Sequence, residues 1–340
     1  MSIWLVPFSY FRYLCPMQYQ NAYTFFAAAR FFGPSWLLRA GVLLCLALVL
    51  VCSAPGMAAT VGQQEKALPL LGFHKVRPGL ELAFVELPES REKGSGALFV
   101  ALRIEPKLHE FSLSMASESG ASRSLAGWSV VDNLRAGINA SMYLPDKSTS
   151  TGFMRKGERL NNSNLGGRLG AFFVAGPRNK RLPKAAVLDK ERPGWRELLE
   201  QYDIVVQNYR FMDSAGASLW KPGGPSHSIA VVGEDKKGRI LFVLSQEPLP
   251  AERFAWYAAS FPLDIKTVMY VEGGAQAGLF LRLEPGDVVD ADEPAASLPG
   301  AVAVPLNGGM VHVWKGWHSL LNTRGNTQAP LPNIIGIKRK

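Results

Sequence analysis

The sequence predicts an α+β fold, a single domain with a mixed, largely antiparallel sheet and a few helices. Three observations lead there. Apolar runs of four to eight residues recur between Gly, Pro and Asn/Asp turns, too short for helices and suited to strands. Only two or three segments carry helical spacing, and no strict βα alternation calls for a doubly wound parallel sheet. With 47% hydrophobic and 19% charged residues, the 340-residue chain is able to bury a core, so disorder is not expected over most of it.

Residues 1–58 read as a signal peptide with a long leader. They hold Arg12, Arg30 and Arg39, no Asp or Glu, and an uninterrupted apolar run from Gly41 to Cys52. Gly56 and Ala58 put small side chains where a signal peptidase reads, so cleavage is expected after Ala58. The run falls short of the roughly 20 residues a spanning helix needs, so the membrane is a partner only through this segment if it stays uncleaved. The expected location is exported, periplasmic or extracellular. Cys15, Cys45 and Cys52 all precede the cut, leaving a cysteine-free mature chain with no disulfide and no thiolate metal site. Removing three leader arginines from 37 basic residues leaves 34 against 28 acidic ones, a net charge near +6. That excess is dispersed, and no aromatic-interleaved basic stripe points to nucleic acid. The five histidines lack a His-x-x-x-His pair, so no metal or other cofactor is expected.

Residues 59–77 form a lead-in, 78–337 the domain and 338–340 a basic tail. Pro78-Gly79 opens a strand over 80–87, and 97–104 and 110–115 give two more around Pro106. A short helix is expected over 128–134, with Ser124 near its start. Gly152 to Gly157 suggests a hairpin, and Ala171–Val174 a strand closed by Gly176-Pro177. A helix from about Pro193 would turn Trp195, Leu198 and Leu199 inward. Ile204–Gln207 is a strand, 227–232 and 239–245 form a hairpin across Asp235–Gly238, and 250–261 is a second amphipathic helix. Residues 287–299 read as a loop, 302–304 and 310–314 as edge strands, and 331–337 as the last strand.

The stretch Thr267–Arg282, TVMYVEGGAQAGLFLR, is the centre of the functional reading. Val268–Val271 suits a buried strand, and Gly273-Gly274 marks a sharp turn, so Glu272 stands at a strand end. Burying a carboxylate is costly without a partner, whereas adjacent glycines let a substrate approach the backbone closely. Other polar residues share this placement at the ends of apolar runs: Asn139 with Asp146 beyond it, Gln207 with Asn208, and His227 with Ser228. If their strands neighbour one another, these ends converge on one cleft. Each has a purely structural alternative: Asn139 and Asp146 could form turns, Gln207 could bond an edge strand, and His227 could be a surface histidine.

The motifs Asn139-Ala-Ser-Met-Tyr-Leu-Pro-Asp146, Thr151-Gly-Phe153, Ala171-Phe-Phe173, Val206-Gln207-Asn208, His227-Ser-Ile-Ala-Val231, Tyr270-Val-Glu-Gly-Gly274 and Pro332-Asn-Ile-Ile335 occur in an order that resembles the phosphodiester glycosidase family, in its bacterial exported branch. The likeness runs from about Pro78 to Ile337. It implies a hydrolase that cleaves a glycosyl phosphodiester at the anomeric carbon, with a carbohydrate or glycosyl-phosphate substrate. Glu272 and Asp146 would then supply acid–base catalysis. Asn139, Gln207, Asn208, His227, Ser228, Gly273 and Gly274 would hold sugar or phosphate, with Arg210 and Arg282 as phosphate contacts. Glu272 stands where the family often has Asp, and Tyr209 and Arg210 stand where it has glycine and proline. A rival reading keeps the fold without the chemistry, as a carbohydrate-binding envelope protein.

Overall fold

The structure is a computed structural model that describes residues 72–213, 215–287, 298–306, 309–318 and 323–339. The signal segment with its three cysteines, most of the lead-in, and positions 288–297 of the expected loop lie outside the described residues. The strands begin with β1 (His74–Arg77), β2 (Leu80–Glu86), β3 (Leu98–Ile104), β4 (Phe111–Met115) and β5 (Leu134–Asn139). Next come β6 (Met154–Lys156), β7 (Arg159–Asn162), β8 (Ala171–Pro177), β9 (Ala185–Asp189) and β10 (Tyr202–Asn208). The second half holds β11 (His227–Asp235), β12 (Ile240–Leu249), β13 (Ile265–Gly273) and β14 (Gly278–Leu283). It ends with β15 (Val302–Leu306), β16 (Gly309–Lys315), β17 (Trp317–His318), β18 (Thr323–Arg324) and β19 (Asn333–Lys338).

Instead of one mixed sheet, the strands form three larger antiparallel sheets, ordered β1-β2-β3-β12-β11-β13, β7-β6-β10-β8-β9 and β15-β16-β14-β5-β19-β4, with β17-β18 as a separate ribbon. The period of two decides how they pack. Leu98, Val100, Leu102 and Ile104 of β3, with Ile240, Phe242 and Leu244 of β12, face a central core. Phe173 of β8 and Leu279 and Leu281 of β14 meet them there, so all three sheets turn one face to it. The alternate residues Phe99, Ala101, Leu241 and Val243 face outward, where helix Ala251–Ser260 covers them through Phe254, Ala255, Tyr257 and Ala258. Burial on both faces is why these strands read as continuous apolar runs rather than alternating ones.

Several boundaries differ from the sequence reading. Part of the lead-in is strand, because His74 and Lys75 pair with Leu82 and Glu81. The helix expected over 128–134 occupies Leu125–Val131, where the Ser124 side chain caps it by accepting from Gly127 N, and Leu134 already begins β5. The expected edge strand β16 lies inside its sheet between β15 and β14. Lys338 belongs to β19 and donates from Nζ to Asp132 O, while Arg339 pairs with Glu284, so both residues are tied to the fold. Strand β9 escapes the sequence reading because Ala185-Ala186 carries little strand preference.

Candidate active site at a crossover between two sheets

Glu272 lies where the chain leaves the first sheet for the third. Strand β13 runs along β11 with Ala230 opposite Glu272 and Val231 opposite Tyr270, so Val271 is an extra residue, a β-bulge. Bulges bend a strand and re-aim its side chains. Asn208 backs this one, donating from Nδ2 to Val271 O at 3.5 Å, and residues 209–211 cover the outer edge of β13 through Tyr270 N to Tyr209 O and Phe211 N to Val268 O, both 3.0 Å. Gly274 then takes φ +65°, a left-handed conformation that glycine accepts without strain, and a 3-10 turn over Gly274–Gln276 delivers the chain to β14.

Polar groups from three other elements fasten this crossover. Asn139, at the end of β5, accepts from Gly278 N at 2.7 Å and donates from Nδ2 to Gln276 O at 3.2 Å. Lys315, at the end of β16 and opposite Gly278 in the sheet, donates from Nζ to the same Gln276 carbonyl at 2.8 Å. Ser228 donates to Gln246 O at 2.5 Å and accepts from Trp317 N at 2.7 Å, and Gly316 N donates to Ala277 O at 2.8 Å. Any side chain on Gly316 would strike the Gly274 carbonyl, so glycine is needed for the close approach.

The electrostatics single out two groups. Burial pushes the Glu272 carboxyl up to about 7, with the Gly273 N–H, 3.0 Å from Oε1, and the Lys315 ammonium opposing the rise. Lys315 is almost fully buried, which brings its ammonium down to about 8 against the attraction of Glu272. The hydroxyls of Tyr143 and Tyr270 are both held above their ordinary range by burial and by the charge of Glu272. His227 turns Nδ1 to the Pro225 carbonyl at 3.1 Å, so that nitrogen carries the proton and Nε2 is the acceptor. A Cβ on Gly273 would collide with the Tyr270 hydroxyl and stand 2.7 Å from His227 Cδ2, so the imidazole and the phenol flank the bare Gly273 backbone.

The structure thus brings Asn139, Asn208, His227, Ser228, Gly273 and Gly274 against the segment that carries Glu272. It places Gln207, Asp146 and Arg282 elsewhere, and Arg210 on the segment bridged to Met269 of β13. Gln207 is fully buried, accepting from Phe153 N and Gly166 N and donating to Gly166 O and Leu169 O, so it shapes the 166–169 loop. Asp146 is exposed and its carboxylate accepts from Ser148 N, Thr149 N and Thr149 Oγ1. Those bonds hold its carboxyl below the usual range, in an Asx-type turn. Arg210 is held by Asp189 at 2.7 Å and Glu191 at 2.6 Å. Arg282 pairs with Val311, four residues along β14 from the Gly278–Lys315 pair and so roughly 13 Å away at about 3.3 Å per residue. It lies in an ion network with Glu284, near Arg135 and Arg339.

No family model matches the sequence, and no curated protein matches it. Among solved structures, the catalytic domain of zebrafish N-acetylglucosamine-1-phosphodiester alpha-N-acetylglucosaminidase (NAGPA), auto-inhibited by its pro-peptide, superposes with a TM-score of 0.50 at 10% identity, covering 79% of this chain and 87% of that one. The chain shares the fold of that catalytic domain. Looser likenesses link it to a hypothetical protein from Synechocystis (TM-score 0.46, 12% identity, 80% and 64% covered) and to a protein from Burkholderia pseudomallei described as exported (TM-score 0.40, 10% identity, 72% and 74% covered).

Around this crossover, the residues that sequence reasoning missed are Lys315, Tyr270, Tyr143 and Gln276. Lys315 ends an apolar strand as the chosen residues do, so the same signal was present in Val311-His-Val-Trp-Lys315. Gln276 Oε1 is buried without a hydrogen-bond partner among the described residues. Among those residues no three His, Cys, Asp or Glu side chains gather to hold a metal ion, and no helix is long and apolar enough to cross a membrane.

Proposed function

We propose that the protein is an exported hydrolase of glycosyl phosphodiesters, cleaving the bond between the anomeric carbon and the phosphate oxygen. The observation that carries this reading is the partly buried Glu272 beside the bare Gly273 backbone with the buried Lys315 in electrostatic reach, a carboxyl near 7 and an ammonium near 8 that keep a base and a cation available together. Glu272, ionised above about pH 7, takes a proton from water as the water oxygen bonds to the anomeric carbon. The C–O bond breaks with its electron pair on the phosphate oxygen, and a phosphomonoester leaves. Such a leaving group is already acidic, so it needs charge stabilisation more than a proton, and the Lys315 ammonium supplies that. The imidazole Nε2 of His227, the Tyr270 hydroxyl and the unpartnered Gln276 oxygen offer acceptors and a donor for sugar hydroxyls.

Asp146 enters this scheme through its turn, which shapes the loop that carries Tyr143 toward Glu272. The fold shared with the animal enzyme's catalytic domain supports the reaction class, and the leader arginines, apolar run and Gly56-Met-Ala58 support export with cleavage after Ala58. The test is a panel of glycosyl phosphodiesters assayed for phosphomonoester release by the wild type and Glu272→Gln. Turnover that depends on Glu272 is expected. Saturable sugar binding with no turnover on any member would replace this reading with the carbohydrate-binding one. N-terminal sequencing of protein recovered outside the cytoplasm checks the cut.

A further inference from the structure

A cavity of about 580 Å³ opens beside the crossover, lined among others by Arg168, Glu191, Tyr209, Arg210, Trp220 and Lys221. Its connection to Glu272 is short. The Trp220 ring that lines it lies 5.0 Å from the Tyr270 ring and 6.5 Å from the His227 ring, and those two groups flank Gly273. The cavity is also basic. Asp189 and Glu191 engage Arg210, whereas Arg168 and Lys221 have no ion-pair partner among the described residues, so three cations face two carboxylates. Two unpaired cations beside an indole and a phenol make a surface for an anion carried on a ring: the cations take the phosphate, and the aromatic faces take the ring. A neutral polymer would leave those cations unused, and a bare anion would leave the Trp220 face uncovered.

We propose that this cavity is a binding site for ring-bearing phosphomonoesters, with the phosphate on Arg168 and Lys221 and the ring on Trp220 and Tyr209. Resting on the glycosidase reading for its role, the cavity receives the leaving half of the substrate and retains it as product, so phosphomonoesters inhibit turnover competitively. Tyr209 and Arg210 both line it, at positions where the sequence departs from the glycosidase pattern.

Calorimetric titration of the protein with phenyl phosphate, inorganic phosphate and phenol tests the proposal. Phenyl phosphate is expected to bind one site more tightly than either inorganic phosphate or phenol. The double variant Arg168→Gln, Lys221→Gln changes two exposed side chains, so its fold stays intact, and it should weaken phenyl phosphate about tenfold while leaving phenol unchanged. Absence of saturable phenyl phosphate binding up to about 10 mM, affinity equal to that of inorganic phosphate, or no loss in the double variant would each overturn the site. Binding with these properties but no turnover on any glycosyl phosphodiester would leave the cavity standing and remove the glycosidase reading. Turnover that phenyl phosphate does not inhibit would keep the glycosidase reading and overturn the cavity's role as the site of the leaving phosphomonoester.

Discussion

Replacing Glu272 by Gln should make the protein more stable at alkaline pH and slower at every pH. A carboxyl whose folded value is about 7 and whose ordinary value is 4.5 holds its proton more tightly in the folded state. The folded state therefore binds more protons between those values, so stability falls as pH rises through them and the full penalty is present above about 7. The difference corresponds to about 3 kcal/mol. Glutamine keeps the size and the Gly273 hydrogen bond without the charge, but it leaves the buried Lys315 ammonium without its carboxylate. The net gain expected at pH 8.5 is therefore about 2 kcal/mol, or about 5 °C in Tm for a domain of this size, against no gain at pH 4.5. Thermal melts followed by circular dichroism across that range read it directly and need no substrate. A melting difference between variant and wild type that does not grow with pH would refute the claim that burial holds this carboxyl up. Turnover on an active glycosyl phosphodiester should meanwhile fall by about 10²–10⁴-fold, the usual worth of a general base.

Three further outcomes follow from the same geometry. The pH profile of kcat/KM should rise through about 7 as Glu272 ionises and fall through about 8 as Lys315 loses its proton. Lys315→Met should abolish the alkaline limb and stabilise the fold below pH 8, where the buried ammonium carries its penalty; a bell unchanged by this variant would exclude Lys315 from catalysis. Asp146→Asn should keep turnover per folded molecule within about threefold, because the amide oxygen still accepts the Ser148 and Thr149 N–H bonds; a loss near 10²-fold would put the carboxylate back in the chemistry. Gly273→Ala should lower kcat by about 10²-fold, since the new methyl displaces the Tyr270 hydroxyl and the His227 ring, and unaltered kinetics would show that neither group meets substrate.

Most strands of this protein were legible in its sequence because the signal is local. Runs such as Leu98–Leu102 and Ile240–Leu244 are apolar throughout, and Asp235–Gly238 joins its hairpin where the sequence reads a turn. The bare Gly273-Gly274 backbone after Glu272 was legible for the same reason: an acid and two glycines after a buried run express a steric and electrostatic need that the neighbouring residues already contain.

What the tertiary structure alone decided is which strand ends meet. The partition into three sheets depends on pairings between strands far apart in the chain, such as β3 with β12 and β5 with β19, and local pattern carries no information on them. Lys315 meets the crossover that carries Glu272 because β16 pairs with β14 in a register that sets it opposite Gly278. Four residues along the same strand, that register sends Arg282 to a separate ion network. Gln207 follows Val206, which faces the central core, so the pleat turns the amide to the opposite side, where the backbone of Phe153 and of the 166–169 loop uses all its bonds. A strand end is a local property, but the face and neighbours it acquires are set by register, and a slip of one residue would reverse them.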